Sequence, residues 1–347
     1  MKKLLIITFL LTAGWLSAQP DKQFSQYYAS SLYLNPAFSG IYNDPSIHVS
    51  HRQQPLGPQF NLQLSQVSLI IPVKPGGRDE RSIGGFGLLV FQETFGINNE
   101  FQRTDFYVNY TQNLKLGILD KYLISFAVQG GIESRQLQFS NLDWPIQYNP
   151  YFGLDDSLPP PSVNEFDSQQ RNISLNAGAM YHFNPSRNYL LYKYSAFVGV
   201  SAKRLNLPNT ALSLMEENRE PILFQYNGGI EFKVNKLFVM PSLLAFYYQR
   251  KQQFNAGLNM AYVPKADRYR ARGPQLLFGT WYKFRDSFIF MAGAKVSSIS
   301  VRFSYDLNSN FLFEEKQIDL AQNSLELSIQ YSLSPSSTIR KISNPLF

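Results

Sequence analysis

From residue 45 to residue 333 the chain alternates apolar and polar residues at a period of two, in runs separated by turn residues. Successive side chains of an extended strand point to opposite faces, so each run presents one greasy side and one polar side. The pattern predicts fourteen strands, near 45–53, 62–73, 83–93, 101–114, 121–134, 171–183, 192–204, 222–234, 237–250, 253–263, 275–284, 287–297, 299–306 and 323–333. It is clearest where Ile173, Leu175, Ala177, Ala179, Tyr181 and Phe183 oppose Asn172, Ser174, Asn176, Gly178, Met180 and His182. One face suits lipid and the other a mostly polar lumen.

A soluble β-sandwich also alternates, with its apolar face turned to a core. Strand length separates the two. Many of these runs reach the ~9–11 residues that a tilted membrane strand needs, whereas globular strands average nearer ~5–6. Composition agrees: 28 Phe, 21 Tyr and 3 Trp, with charged residues at 16% against roughly 25% in ordinary soluble domains. No stretch after residue 18 has the roughly 18 consecutive apolar residues of a spanning helix. A closed barrel is the other structure that satisfies every backbone group in lipid. The expected fold is therefore all-β, a transmembrane antiparallel outer-membrane β-barrel of about fourteen strands, an even number. Connections on one side are much longer in total than those on the other, as in known outer-membrane barrels. That parity depends on splitting a twenty-residue run into a hairpin at Ser297-Ser298.

The first 18 residues read as a cleavable export signal, with Lys2 and Lys3, an apolar stretch from Leu4 to Leu11, and Leu16-Ser17-Ala18 as the exit. Four regions follow: signal peptide 1–18, an N-terminal segment 19–44, a barrel 45–333 and a C-terminal periplasmic tail 334–347. The mature chain is expected to start at Gln19 on the periplasmic side of an outer membrane. With 0 Cys, disulfides, thiolate metal sites and a lipoprotein anchor are excluded. The formal charge of +7 becomes +5 without Lys2 and Lys3, the only charged residues of 1–18. The basic residues lie in turns such as Arg250-Lys251 and Lys265 to Arg272, which reads as a rim touching anionic lipid headgroups rather than a nucleic-acid surface.

Chemistry is sparse. The 3 His are scattered. Only His48, His51 and His182 are available as a base; His48 shares a face with Ser46 and Ser50, but no acid or amide partner can be read for it, and the arrangement is common by chance. Metal-ligand spacing is absent. In the loop near 135–170, Asp143, Asp155, Asp156 and Asp167 are hard oxygen ligands, yet their spacing matches no calcium loop, and a proline-stiffened solvated loop accounts for them. Gly84-Gly85-Phe86-Gly87 sits in a strand and reads as tight wall packing rather than a phosphate loop. The chain is read as a non-enzyme without cofactor or metal.

The segment ahead of the first strand reads QFSQYYASSLYLNPAFSG. Its residues Gln23, Phe24, Ser25, Gln26, Tyr27, then Asn35, Pro36, Ala37, Phe38 and Gly40, resemble the N-terminal signature of the PorP/SprF family of type IX secretion system membrane proteins from Bacteroidota. The resemblance continues in Phe86 to Gly96, Ala196 to Asn209, Pro241 to Leu244, Phe303 to Asn310 and Ser324 to Leu333. It departs at His51-Arg52-Gln53-Gln54-Pro55, where members often read His-Arg-Asn-Gln-Trp, and at Leu325, where a histidine often precedes the glutamate. The resemblance implies an outer-membrane barrel that helps type IX secretion components deliver or hold large surface proteins, in some members adhesins of gliding motility. It implies no catalysis.

Two placements of the N-terminal segment stay open: a plug folded into the lumen, bent at Asn35-Pro36 with its aromatic rings on the inner wall, or a periplasmic arm under the barrel. A second function stays open too. A barrel with an N-terminal hatch also describes outer-membrane channels for small or hydrophobic ligands, and fold alone does not separate the two. The terminal Phe347 resembles the aromatic end of many outer-membrane barrels, but lies about a dozen residues past the last strand.

Overall fold

The computed structural model describes residues 23–42, 44–56, 60–75, 82–97, 99–116, 122–138, 148–149, 151, 153–154, 168–183, 194–210, 219–249, 251–266, 271–272, 274–308 and 323–333. The signal sequence, the C-terminal tail with Phe347, and Asp143, Asp155, Asp156 and Asp167 lie outside them.

Fourteen strands close into one antiparallel barrel. They are β1 Ser46–Pro55, β2 Asn61–Val73, β3 Gly84–Gly96, β4 Phe101–Leu116, β5 Tyr122–Leu137, β6 Ser168–Phe183, β7 Tyr194–Lys203, β8 Leu223–Val234, β9 Leu237–Tyr248, β10 Lys251–Tyr262, β11 Gln275–Lys283, β12 Ser287–Val296, β13 Ile299–Asn308 and β14 Ser324–Ser332. Each pairs with its sequence neighbours, and β14 returns to β1 with Val49 opposite Ile329. All fourteen strands predicted from alternation are present. The Ser297-Ser298 hairpin is too: Val296 pairs with Ile299, and Ser297 takes φ 55° to make the turn.

The alternation translates directly into two environments. On β14, Leu325, Leu327, Ile329 and Tyr331 are exposed outward, while Ser324, Glu326, Ser328 and Gln330 are buried inward. Outward positions elsewhere carry Val128, Ile173, Val198 and Leu243, each more than half exposed. A belt of this size would be untenable in water and is what a bilayer requires. Among the described residues no helix is long and apolar enough to cross a membrane; the strands make the crossing. The longest connections, 138–167, 204–222 and 309–323, all leave one rim, and β1 starts at the other.

The inward face differs from the polar lumen expected. Leu62, Leu64, Leu89, Phe91 and Tyr107 form one buried apolar cluster, and Met180, Phe197, Leu223, Met240, Trp281 and Met291 belong to a second. The cause is what fills the lumen. Residues 23–42 lie inside the barrel, every one of them buried, and supply the apolar partners these wall residues need. The barrel interior is thus partly a hydrophobic core wrapped in a membrane wall.

Candidate functional site: the lumenal segment

Residues 23–42 carry little regular structure. A single helical turn, α1 Ser31–Leu34, ends at Asn35, whose backbone is extended at φ −149° and ψ 119°. The proline that follows disfavours a helical conformation at Asn35. The Asn35 side-chain oxygen accepts the Ala37 amide at 2.9 Å, a local turn that asparagine favours and that starts a second helical turn, α2 Phe38–Ile41. The motif Asn35-Pro36-Ala37-Phe38 is therefore a chain reversal with its own internal hydrogen bond.

The segment runs the length of the lumen. At the rim bearing the long connections, the Gln23 carbonyl accepts from Arg52 Nη1 and the Gln23 amide oxygen accepts from Asn255 Nδ2 at 3.4 Å. Phe24 sets its ring edge-on to Tyr33 at 5.9 Å and Phe91 at 6.1 Å. The Ser25 amide donates to Glu326 Oε2 at 2.5 Å, and its hydroxyl to Asp306 Oδ2 at 2.5 Å. Gln26 donates its amide to Glu326 Oε1 at 3.2 Å and its side-chain nitrogen to Ser304 Oγ at 3.1 Å, and accepts from Ser328 Oγ at 2.5 Å. Tyr27 stands edge-on to Trp281 at 4.8 Å.

Halfway down, Asn35 Nδ2 donates to the carbonyls of Ala179 at 3.3 Å and Val200 at 3.2 Å. The Pro36 carbonyl accepts from Asn109 and Thr111. At the opposite rim the Gly40 carbonyl accepts from Ser82 Oγ at 2.7 Å and Asn113 Nδ2 at 2.6 Å. The Tyr42 hydroxyl donates to Ser31 Oγ at 3.4 Å. The residues singled out by the sequence motif, Phe38 included, thus all lie in the lumen, Ala37 packed in the core of the second cluster.

Sequence reasoning missed the wall residues that receive them. Asp306 accepts from Ser25 and forms ion pairs with Arg52 at 3.1 Å and Lys283 at 3.2 Å, all of it buried. Inward positions of barrel strands accept charge readily, since it is the lipid face that penalises it, so alternation placed these residues on the inner wall without marking them as partners of the segment. A second charged group lies near the same rim. Arg103 pairs with Asp105 at 2.8 Å and Glu133 at 3.5 Å, and Glu220, on the 204–222 connection, pairs with Arg135 and Arg204. The cavity among Tyr33, Arg103, Tyr107, Glu133 and Lys203 holds only about 10 Å³, room for roughly one water.

His48 does meet Ser46, at 3.0 Å, but its other ring nitrogen faces the Ala29 carbonyl at 3.3 Å and Tyr42 stands against the ring. That is a wall-to-segment contact, and it lacks the orienting acid of a hydrolytic site. Among the described residues no cluster of His, Asp or Glu has metal-binding geometry.

Asn35→Ala is expected to remove a fully buried donor and its turn-forming acceptor together. The loss should be about 1–3 kcal/mol, read as a lower urea midpoint for the folded barrel in detergent.

Several solved barrels resemble the chain in outline. The Ralstonia pickettii toluene transporter TbuX is 9% identical over 88% of this chain and 94% of its own, with a TM-score of 0.49. A Pseudomonas aeruginosa FadL homologue is 11% identical over 93% and 98%, at 0.47. The Pseudomonas putida toluene transporter TodX is 9% identical over 90% and 94%, at 0.49. At such scores these similarities say nothing about what this chain does. No curated protein matches the sequence. The family described as type IX secretion system membrane protein PorP/SprF, in contrast, matches residues 16–331, nearly the whole chain. With its fourteen-stranded membrane barrel and its lumenal motif, the chain belongs to the PorP/SprF family of type IX secretion system membrane proteins.

Proposed function

We propose that this protein is a non-catalytic outer-membrane component of the type IX secretion system that assists the secretion or surface attachment of large client proteins, such as gliding adhesins. Its partners are then type IX components, the secreted surface proteins and the surrounding outer-membrane lipid. Family membership supplies the system. The observation that carries the mode of action is the occupied lumen, in which residues 23–42 are buried from one rim to the other. A filled barrel favours recognition at its rims over passage through its middle, and it counts against the alternative of a channel for small or hydrophobic ligands.

In this reading residues 19–44 form a plug and the long-loop rim faces outward. Gln23, the first described residue, then lies in the outer half of the lumen. β14 then ends at the periplasmic rim.

Deleting the gene tests the proposal. The expected result is loss of one or a few type IX clients from the surface proteome, restored by the parent gene. Unchanged surface delivery of every client would refute a secretion role. Purified protein that carries hydrophobic solutes into liposomes with the segment in place would favour the channel instead.

A further inference from the structure

The lumenal segment treats one part of the wall differently from the rest. Most bonds of residues 23–29 go to β13, β14, β1 and β2, the four strands flanking the junction where the barrel closes; Gln23 also meets Asn255 of β10, and Tyr28 meets Met291 of β12. Glu326 and Ser328 of β14 hold the Ser25 and Gln26 backbone amides and the Gln26 side chain. Asp306 and Ser304 of β13 take the Ser25 hydroxyl and the Gln26 side-chain nitrogen. From β1, Arg52 reaches the Gln23 carbonyl, and from β2, Gln66 donates to the Ala29 carbonyl at 3.2 Å. Residues 35–40, in contrast, bond to β4, β6 and β7 on another part of the wall.

The junction needs such help. It joins the two ends of the barrel through eight paired positions, from Ser46↔Ser332 to Gln53↔Leu325, as many as β10–β11 or β13–β14 and one more than β6–β7, but no short connection ties its two strands together and fixes their register. A slip of one residue would turn every apolar side chain inward and is excluded by the alternation itself. A slip of two keeps each face correct, so alternation cannot exclude it. Bonds from a third element at fixed positions can. Moving β14 by two residues would carry Glu326 away from the Ser25 and Gln26 amides and would separate Ser324 Oγ from Arg52, now 3.0 Å apart.

We propose that residues 23–29 act as an internal template for barrel closure, selecting the register at which β14 meets β1. The chain has no cysteine, so engineered pairs report without background. Val49→Cys with Ile329→Cys reads the native register, Val49→Cys with Leu327→Cys reads the two-residue slip, and Leu243→Cys with Ala256→Cys on β9 and β10 is a control away from the junction. Each pair is oxidised in outer-membrane fractions of the full chain.

The ratio of slipped to native disulfide is expected to rise at least about fivefold in Ser25→Ala/Gln26→Ala, which keeps the two backbone bonds to Glu326 but removes the side-chain bonds to Asp306, Ser304 and Ser328, an effect on the scale of a single net hydrogen bond. The control pair and Asn35→Ala should leave it unchanged. An unchanged ratio in the inserted double variant overturns the proposal, as does an equal rise in Asn35→Ala, which would mark a general loosening. If the double variant does not insert, Gln26→Ala alone is read by the same criterion. Failure of both to insert while Asn35→Ala inserts supports the template, and failure of all three counts against it.

Discussion

Gly85→Val combined with Gly178→Leu is expected to drive residues 23–42 out of the lumen and to turn a silent barrel into an ion-conducting one. Both glycines are places where wall backbone touches the segment. A Cβ at Gly85 would fall on the Ser39 carbonyl oxygen, with the Ser39 carbonyl carbon at 2.9 Å. A Cβ at Gly178 would fall on the Asn35 side-chain oxygen, with Pro36 Cδ at 3.0 Å. Neither neighbour is the free end of a flexible side chain. Ser39 O is main chain, and Asn35 is held by its bonds to Ala179, Val200 and Ala37. Overpacking typically costs about 1–3 kcal/mol per site, so the two together shift the seated-to-unseated ratio by at least about tenfold. Barrels of eight strands are filled by their own side chains, and those of sixteen to eighteen hold open water channels. Fourteen strands without the segment leave a gap that the wall residues alone do not fill. Planar bilayer recordings should show current steps in the double variant and a flat baseline in the parent. A baseline in both, from chains that still show heat-modifiable mobility on gels, would mean that the segment does not control the opening.

The wall was legible in the sequence because each strand obeys one local rule. Ile173 to Phe183 and Leu325 to Tyr331 announce their faces by alternation alone, and Ser297-Ser298 marks a hairpin through local turn chemistry. The contents of the lumen obey no such rule. Residues 23–42 have no period, and their position is set by side chains remote in sequence, such as Asp306 and Glu326 for Ser25 and Thr111 for Ser39. The motif residues could be singled out, and Asn35-Pro36 could be read as a bend, but plug and arm were equally consistent with them. The apolar lumenal residues were obscured for the same reason. Met180 and Trp281 stand where a water-filled barrel would carry polar groups, and only Ala29, Leu32 and Phe38 seated against the wall explain them. Arg52 and Glu326 were noticed as neighbours of positions where the chain departs from its relatives. The departures at Gln53, Pro55 and Leu325 leave the inward-facing Arg52 and Glu326 in place, and both bond to the segment.

Asp306→Ala is expected to be among the most destabilising single substitutions in the wall. Asp306 is the shared carboxylate of two cations, Arg52 and Lys283, with all three side chains at most 6% exposed. Removing one partner of a buried pair leaves the remaining charge without compensation, which typically costs about 3–5 kcal/mol. Here two cations would be left, and the Ser25 hydroxyl would lose its acceptor. The expected loss is at least about 3 kcal/mol. Asp306→Asn should fall between the parent and Asp306→Ala, since it keeps a hydrogen-bond acceptor without the charge. The decisive comparison is Arg52→Met/Lys283→Met/Asp306→Ala. Replacing buried ionic partners by apolar groups is often neutral or mildly stabilising, and Glu326, which stays, keeps the Ser25 and Gln26 amides as donors, so the triple variant should be more stable than Asp306→Ala alone, even though it lacks more of the native contacts. Denaturant unfolding of the barrel in lipid vesicles, followed by tryptophan fluorescence and extrapolated linearly, measures all three. A loss below about 1 kcal/mol in Asp306→Ala would place the cluster in the range of exposed ion pairs, and its cations would have to be reached by water through the long-loop rim. A triple variant less stable than the single one would instead show that geometry, through Arg52 on Gln23 and Ser324, outweighs charge in holding the segment to the closing strands.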